Sequence, residues 1–303
     1  MADFKNEFSW SKSRAEKFNK CLRSYYLHYY GSWGGWDWEA KPEHKEIYVM
    51  KNLQSIPLWV GSIVHETVEW LTKRAATRDP VPIDQALDRL RKNMDMDWWT
   101  SESGNFRDQP NKMVGLMEHY YGEPIDQETF ETAVTQSQDC IQNLYQNSVY
   151  QQFAGNQNLK ILATEPYDSM NMNGLKVWAV PDVVTWDGTN LHLIDWKTGK
   201  AMGGDEINFQ LSIYTAYCSI KWEVLFEKIT ASEVNLFLNQ VKTRTFTVED
   251  IQETKQAISV SASKMLDMLV DPENNIARED DFPMTEILNY CRYCNFKRAC
   301  GRE

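Results

Sequence analysis

A chain of 303 residues, 42% apolar and 25% charged, has the balance of soluble globular proteins and the length to bury one large core or two smaller ones. Its net charge of -11 excludes a protein that coats duplex DNA through a global positive field, yet leaves room for a locally acidic cation site beside a narrow basic channel. No apolar run approaches the roughly 20 residues of a membrane-spanning helix, and Met1 to Glu7 lacks the basic start and apolar core of a signal peptide, so a cytoplasmic protein with no membrane contact is expected.

The first predicted element is a helix from Ser11 to Tyr30, with Phe18, Leu22, Tyr25, Tyr26 and Tyr29 at helical spacing and Gly31 as its stop. Gly31 to Pro57 holds Gly34-Gly35 and several tryptophans and reads as a loop-rich connection. A second helix, from about Leu58 to Ala76, carries Val60, Val64, Val68 and Leu71 on one stripe. From about Ile83 to Gln151 the pattern predicts further helices, broken near Ser103-Gly104 and Gly122-Glu123-Pro124; residues 81–151 read as a helical insertion ahead of the sheet. Strand patterns begin late, at Lys160 to Glu165, Leu175 to Trp186 and Leu191 to Trp196, and the turn pair Asp187-Gly188 makes the last two a hairpin. Glu206 to Phe226 then reads as a helix, Glu233 to Asn239 and Lys242 to Phe246 as strands, and Val248 to Leu269 as a closing helix. The order predicts an α/β protein whose core lies within residues 160–270.

The central signal is Pro181-Asp182 followed by Asp195-Trp196-Lys197-Thr198-Gly199-Lys200. Strand side chains alternate, so Asp195 and Lys197 point one way and Trp196 the other; a closed hairpin puts Asp182 beside Asp195. Two carboxylates and an ammonium then converge. Hard oxygen donors suit Mg²⁺ or Mn²⁺, which polarise a phosphodiester oxygen and lower the pKa of a bound water. Lys197 would orient or deprotonate that water, or offset charge in the transition state. Alone, an Asp-x-Lys pair is as readily an ordinary surface hairpin. Two further pairs widen the set, His65 with Glu69 and Gln210 with Tyr214, each four apart on one helix face. Taken singly, each is equally a packing feature.

In order, Gly61-Ser62-Ile63-Val64-His65, Pro181-Asp182, Asp195-Trp196-Lys197-Thr198-Gly199 and Gln210-Leu211-Ser212-Ile213-Tyr214 resemble the motifs of RecB-like PD-(D/E)XK nucleases, over a span from about Ser9 to the C-terminus. The resemblance implies a single nuclease domain over residues 1–303, with a mixed central sheet flanked by helices. It implies metal contacts by His65, Asp182 and Asp195, a further ligand in the Trp196 carbonyl, and Lys197 as the catalytic lysine. Gln210 and Tyr214 would support the site or contact DNA. Glu165, at the end of the first strand, stands where that family often carries an acid.

Six cysteines in such a chain are expected as thiols or metal ligands rather than disulfides. Cys140 and Cys218 sit in apolar helical contexts and read as buried thiols. Cys291, Cys294 and Cys300 form a C-x₂-C-x₅-C run in the tail, residues 284–303, and Cys21 lies far upstream within residues 1–30. Four such thiols could hold Zn²⁺ or an iron–sulfur cluster, or remain free. The pattern resembles that of AddB-type and CRISPR adaptation nucleases, and the likeness implies a [4Fe–4S] cluster on Cys21, Cys291, Cys294 and Cys300.

For the DNA path, Lys12, Arg14, Lys17 and Lys20 on the first helix and Arg292, Lys297 and Arg298 beside the cysteines are candidate phosphate contacts, or equally a solvated charged face. Trp33, Trp36 and Trp38 are candidates for stacking on unpaired bases or for loop packing. The resemblance favours a single-stranded DNA exonuclease, with DNA repair, recombination and CRISPR spacer acquisition among the pathways. No GxxxxGK[ST] loop occurs, so an unwinding motor is expected as a separate helicase partner. A non-catalytic DNA-binding or assembly module and an RNA-cleaving enzyme are the alternatives.

Overall fold

The computed structural model describes residues 5–156 and 158–303; Met1 to Phe4, most of the segment read above for a leader, lie outside them. The Ser11 hydroxyl caps helix α1 (Lys12–Lys20) by accepting from Arg14 N. Extended backbone at Cys21 splits the predicted first helix, so α2 (Leu22–Tyr26) starts afresh and ends in a π turn through Gly31. The stretch from Gly31 to Pro57 is not all loop: it holds α3 (Pro42–Asn52). Pro42 opens this helix where a missing N–H costs nothing, and Val49 and Met50 bury its inner side. Its weak amphipathic pattern and the glycines before it had hidden it.

The long helix α4 (Ile56–Ala76) follows, then α5 (Ile83–Glu102), the short α6 (Met117–Tyr120), α7 (Gln127–Gln146) and α8 (Ser148–Gly155). Strand β1 (Lys160–Thr164) leads into a separate hairpin of β2 (Ser169–Met172) and β3 (Leu175–Trp178). The predicted strand from Leu175 to Trp186 is therefore two strands in two sheets. Buried Pro181 divides them, lacking the N–H a continuous ladder needs. β4 (Val183–Trp186) and β5 (Leu191–Lys197) form the expected hairpin, whose turn is tied by Asp187 Oδ1 accepting from Thr189 N at 2.8 Å and Asn190 N at 2.7 Å.

After β5 come α9 (Asp205–Trp222), β6 (Ile229–Asn235), β7 (Gln240–Arg244), α10 (Val248–Leu266) and α11 (Leu288–Arg292). β6 thus begins at Ile229 rather than Glu233, because the preceding helix stops at Trp222. The main sheet has the order β1-β4-β5-β6-β7 and is antiparallel except for β5–β6, whose parallel pairing requires the crossover that α9 provides.

Alternation along the strands sends side chains to two cores. Val183, Ile194, Trp196 and Val234 pack with Val60 and Val64 of α4 and Ile141 of α7. Leu191, Leu193, Val184 and Ala231 pack with Leu211 of α9 and Ile258 of α10. Each fully buried aliphatic side chain contributes about 2 kcal/mol. The helical block of residues 81–151 shares the first core with the sheet. A third, smaller cluster of Leu27, Val49, Phe106 and Phe296 seats the C-terminal segment against α3.

Candidate active site

The β4–β5 register pairs Val183 with Ile194, so one step further Asp182 stands opposite Asp195. Asp182 Oδ2 accepts from the Trp196 backbone N–H at 2.6 Å, and its carbonyl accepts from Glu165 N at 2.9 Å. The open ends of β1, β4 and β5 are thereby laced together. Glu165 adopts φ +41, an uncommon conformation for a side-chain-bearing residue and one found most often where surrounding structure imposes it. From α4, His65 brings Nδ1 to 3.5 Å from Asp182 Oδ1. Gly61, one turn earlier, lets this helix approach the chain after Lys197: a Cβ there would stand 3.3 Å from Thr198 Oγ1.

His65, Glu165 and Asp182 each present a ligand atom, all within 4.8 Å of one another. Asp195 lies outside that group but close enough to perturb it. Only 2% exposed, it is pushed above the usual carboxylate range by burial and by Asp182, against the pull of Lys197. Burial, Asp182 and Glu69 push Glu165 up to about 7. For His65, burial lowers the pKa, but the Asp182 carboxylate outweighs it and the net shift is upward.

Lys197 Nζ sits 2.6 Å from Asp195 Oδ2, a close ion pair at a buried carboxylate. The same ammonium donates to Gln210 Oε1 at 3.2 Å, and Gln210 Nε2 donates to Tyr214 Oη at 2.8 Å. Trp196 turns to the other face, 1% exposed and edge-on to Phe153. The His65 imidazole with the carboxylates of Glu165 and Asp182, and the buried Asp195 carboxylate beside them, is a donor set that a hard divalent cation fits.

Two braces escaped the sequence reading. Glu233 and Asn235 occupy β6 opposite Asp195 and Lys197 and are buried. Glu233 Oε1 accepts from Gly203 N at 2.6 Å, and Asn235 Nδ2 donates to the carbonyls of Gly199 at 2.9 Å and Ala201 at 3.2 Å. Together they fix the loop that follows Lys197. Polar residues alternating with Val234 and Leu236 were the available cue.

Of the basic residues, Arg14 is not available to phosphate. It is 4% exposed, donates to Tyr25 Oη, Ser9 O and Tyr30 Oη, and lies over the Tyr29 ring. Lys297 pairs with Glu123, and Arg298 with Glu303. Trp33 packs edge-on to Trp36, while Trp38 is 78% exposed. Cys140 and Cys218 are buried, and burial raises both thiols, Cys140 to about 12. Cys21, Cys291 and Cys294 line one cavity of about 290 Å³. Cys300 lies close enough that, after burial, Cys294 and Cys21 push its thiol up to about 11. Among the described residues, no three of these sulfurs come within 4.8 Å of one another.

The model of the PD-(D/E)XK nuclease superfamily matches residues 9–301. The chain belongs to that superfamily, and membership implies metal-dependent nuclease activity. No curated protein matches it.

Proposed function

We propose that this protein is a RecB-like, Mg²⁺- or Mn²⁺-dependent exonuclease acting on single-stranded DNA. The observation that carries this reading is the continuous line from Asp195 through Lys197 and Gln210 to Tyr214, beside the His65–Glu165–Asp182 group. In this reading His65, Asp182, Glu165, Asp195 and the Trp196 carbonyl hold the cation. When bound, it supplies Lewis-acid polarisation of the phosphodiester and acidifies water. Asp182 is held in place by the Trp196 N–H, so its second oxygen stays aimed toward His65. Lys197, positioned by Asp195 and Gln210, offsets the negative charge that develops on the phosphate. Tyr214 holds Gln210 through its hydroxyl.

The same reading treats residues 1–303 as one nuclease unit, with 81–151 as its helical insertion and 160–270 as the catalytic core. Residues 1–30 and 284–303 would be joined by a [4Fe–4S] cluster on Cys21, Cys291, Cys294 and Cys300. The cavity that Cys21, Cys291 and Cys294 line together supports this. Zn²⁺ would take the same four thiolates, so metal analysis separates the two. A separate helicase, or a recombination or CRISPR partner, would supply the single strand.

Digestion of 5′- and 3′-labelled single-stranded, duplex and circular DNA, with RNA alongside and Mg²⁺ and Mn²⁺ compared, tests the proposal. Cleavage from the ends of single strands, lost in Asp195→Ala and Lys197→Ala, is expected. Unimpaired cleavage by both variants, or DNA binding without cleavage under either metal, overturns it. Stoichiometric zinc without iron in anaerobically purified protein overturns the cluster assignment.

A further inference from the structure

Between Glu165 and the β2–β3 hairpin lies a short loop that carries Tyr167 into solvent, 84% exposed. An aromatic side chain buries 150 Å² or more when it packs, so leaving one this open forgoes a large hydrophobic gain. The loop is nonetheless pinned at both ends. Glu165 N donates to Asp182 O, and Asp168 Oδ2 accepts from Tyr217 Oη at 2.9 Å and Lys221 Nζ at 2.7 Å. The ring rests against Trp178, with centroids 4.5 Å apart and planes inclined by 38°. Trp178 is fixed in turn, its indole N–H donating to Ser9 Oγ at 3.1 Å, and Lys176 Nζ stands 4.3 Å from its ring centroid.

This pair borders a cavity of about 340 Å³ whose other walls include Lys12, Gln210 and Tyr214, together with Glu16, the ion-pair partner that a phosphate on Lys12 must displace. Lys12 and Gln210 also border a second cavity, which reaches Lys197. The two cavities adjoin at Lys12 and Gln210, between the Tyr167–Trp178 pair on one side and Lys197 on the other. Their chemistry is an aromatic ring with an open face, a lysine shared with one glutamate, and a hydrogen-bonding far wall.

We propose that Tyr167, backed by Trp178, stacks on an unpaired base of the substrate strand, with Lys12 meeting the adjoining phosphate and the strand directed toward Lys197. The inference rests on the nuclease reading and adds a strand-selecting contact to it. A base inside a duplex has its faces covered by its neighbours, so a stacking platform selects single strands. This contact differs from the tryptophans of residues 33–38, none of which borders that cavity.

Binding is read by fluorescence anisotropy in EDTA, with a labelled single-stranded oligonucleotide of about ten nucleotides. Without metal no cleavage is needed, so a protein inert toward DNA still gives an answer for Tyr167. Tyr167→Ala should weaken single-strand binding about tenfold, with Tyr167→Trp within about twofold of the parent. Duplex of the same sequence should show no such difference. Because the side chain is exposed, the melting temperature should not change. With the unaltered protein, an abasic site moved along the oligonucleotide should give the same weakening at one position. Undiminished binding by Tyr167→Ala, equal loss on duplex and single strand, or equal binding at every abasic position overturns the inference.

Discussion

The acid–lysine site and the cysteine cavity are assembled by different means. At the first, sheet register places the groups and backbone hydrogen bonds hold them: Trp196 N–H on Asp182, Asp182 O on Glu165, and Asn235 on the following loop. At the second, the thiols come from Cys21 in an extended break between helices, from the five-residue α11 and from turns. The geometry of the acid–lysine site is thus a property of the central sheet, whereas the cysteine cavity lies between residues 13–24 and 285–295. Loss of a group at the first should cost chemistry, and at the second, stability.

The sharpest test of that division is Asp195→Ala, with Lys197→Ala beside it. Cleavage of labelled single strands should fall by at least about a hundredfold. The melting temperature should hold or rise, because Asp195 is a buried carboxylate whose charged form is costly there. A marked loss of stability would erase the contrast between the regions. Conversely, Cys294→Ser should remove iron and colour and lower the melting temperature by about 10 °C. Cleavage per folded molecule below that temperature should be kept.

Asn235→Ala probes the brace. Freeing the Gly199 and Ala201 carbonyls should cost about 1–3 kcal/mol of stability, read by denaturant unfolding. The cleavage rate should fall about tenfold as Lys197 loosens. The last effect is electrostatic. Glu165 is held at about 7 against an ordinary 4.5, so the stability of its neutral form is complete below 4.5 and lost as pH rises through 7. Melting curves without added metal should show the parent losing stability relative to Glu165→Gln across that interval, and Mn²⁺ should reverse the trend. Parallel curves for the two proteins at every pH would remove Glu165 from the cation group.

Periodicity and turn chemistry carried much of this architecture into view. The β4–β5 hairpin was legible because Asp187-Gly188 is a local signal, and α4 because its apolar stripe repeats along one side. The β2–β3 hairpin was missed although Asn173-Gly174, both at positive φ, is a strong hairpin pair; four residues on either side are too few to show alternation. Lys197, Gln210 and Tyr214 were named from motif order, but their hydrogen-bonded line depends on how α9 crosses the sheet. Glu233 and Asn235 act through parallel pairing with β5 across 38 residues of sequence, which no local pattern encodes. Arg14 was misassigned for a similar reason: its charge is evident in the chain, but its partners Tyr25 and Tyr30 come around only when α2 folds back.

Asn295 Nδ2 donates to the carbonyls of Met50 at 3.0 Å and Leu53 at 2.8 Å, closing the end of α3 from 245 residues away. During synthesis, that helix end is therefore left open to water until residue 295 has left the ribosome. The two cores can condense earlier, since their strands and helices precede that residue. A nascent chain stalled short of residue 295 would present a frayed, apolar flank to chaperones and proteases.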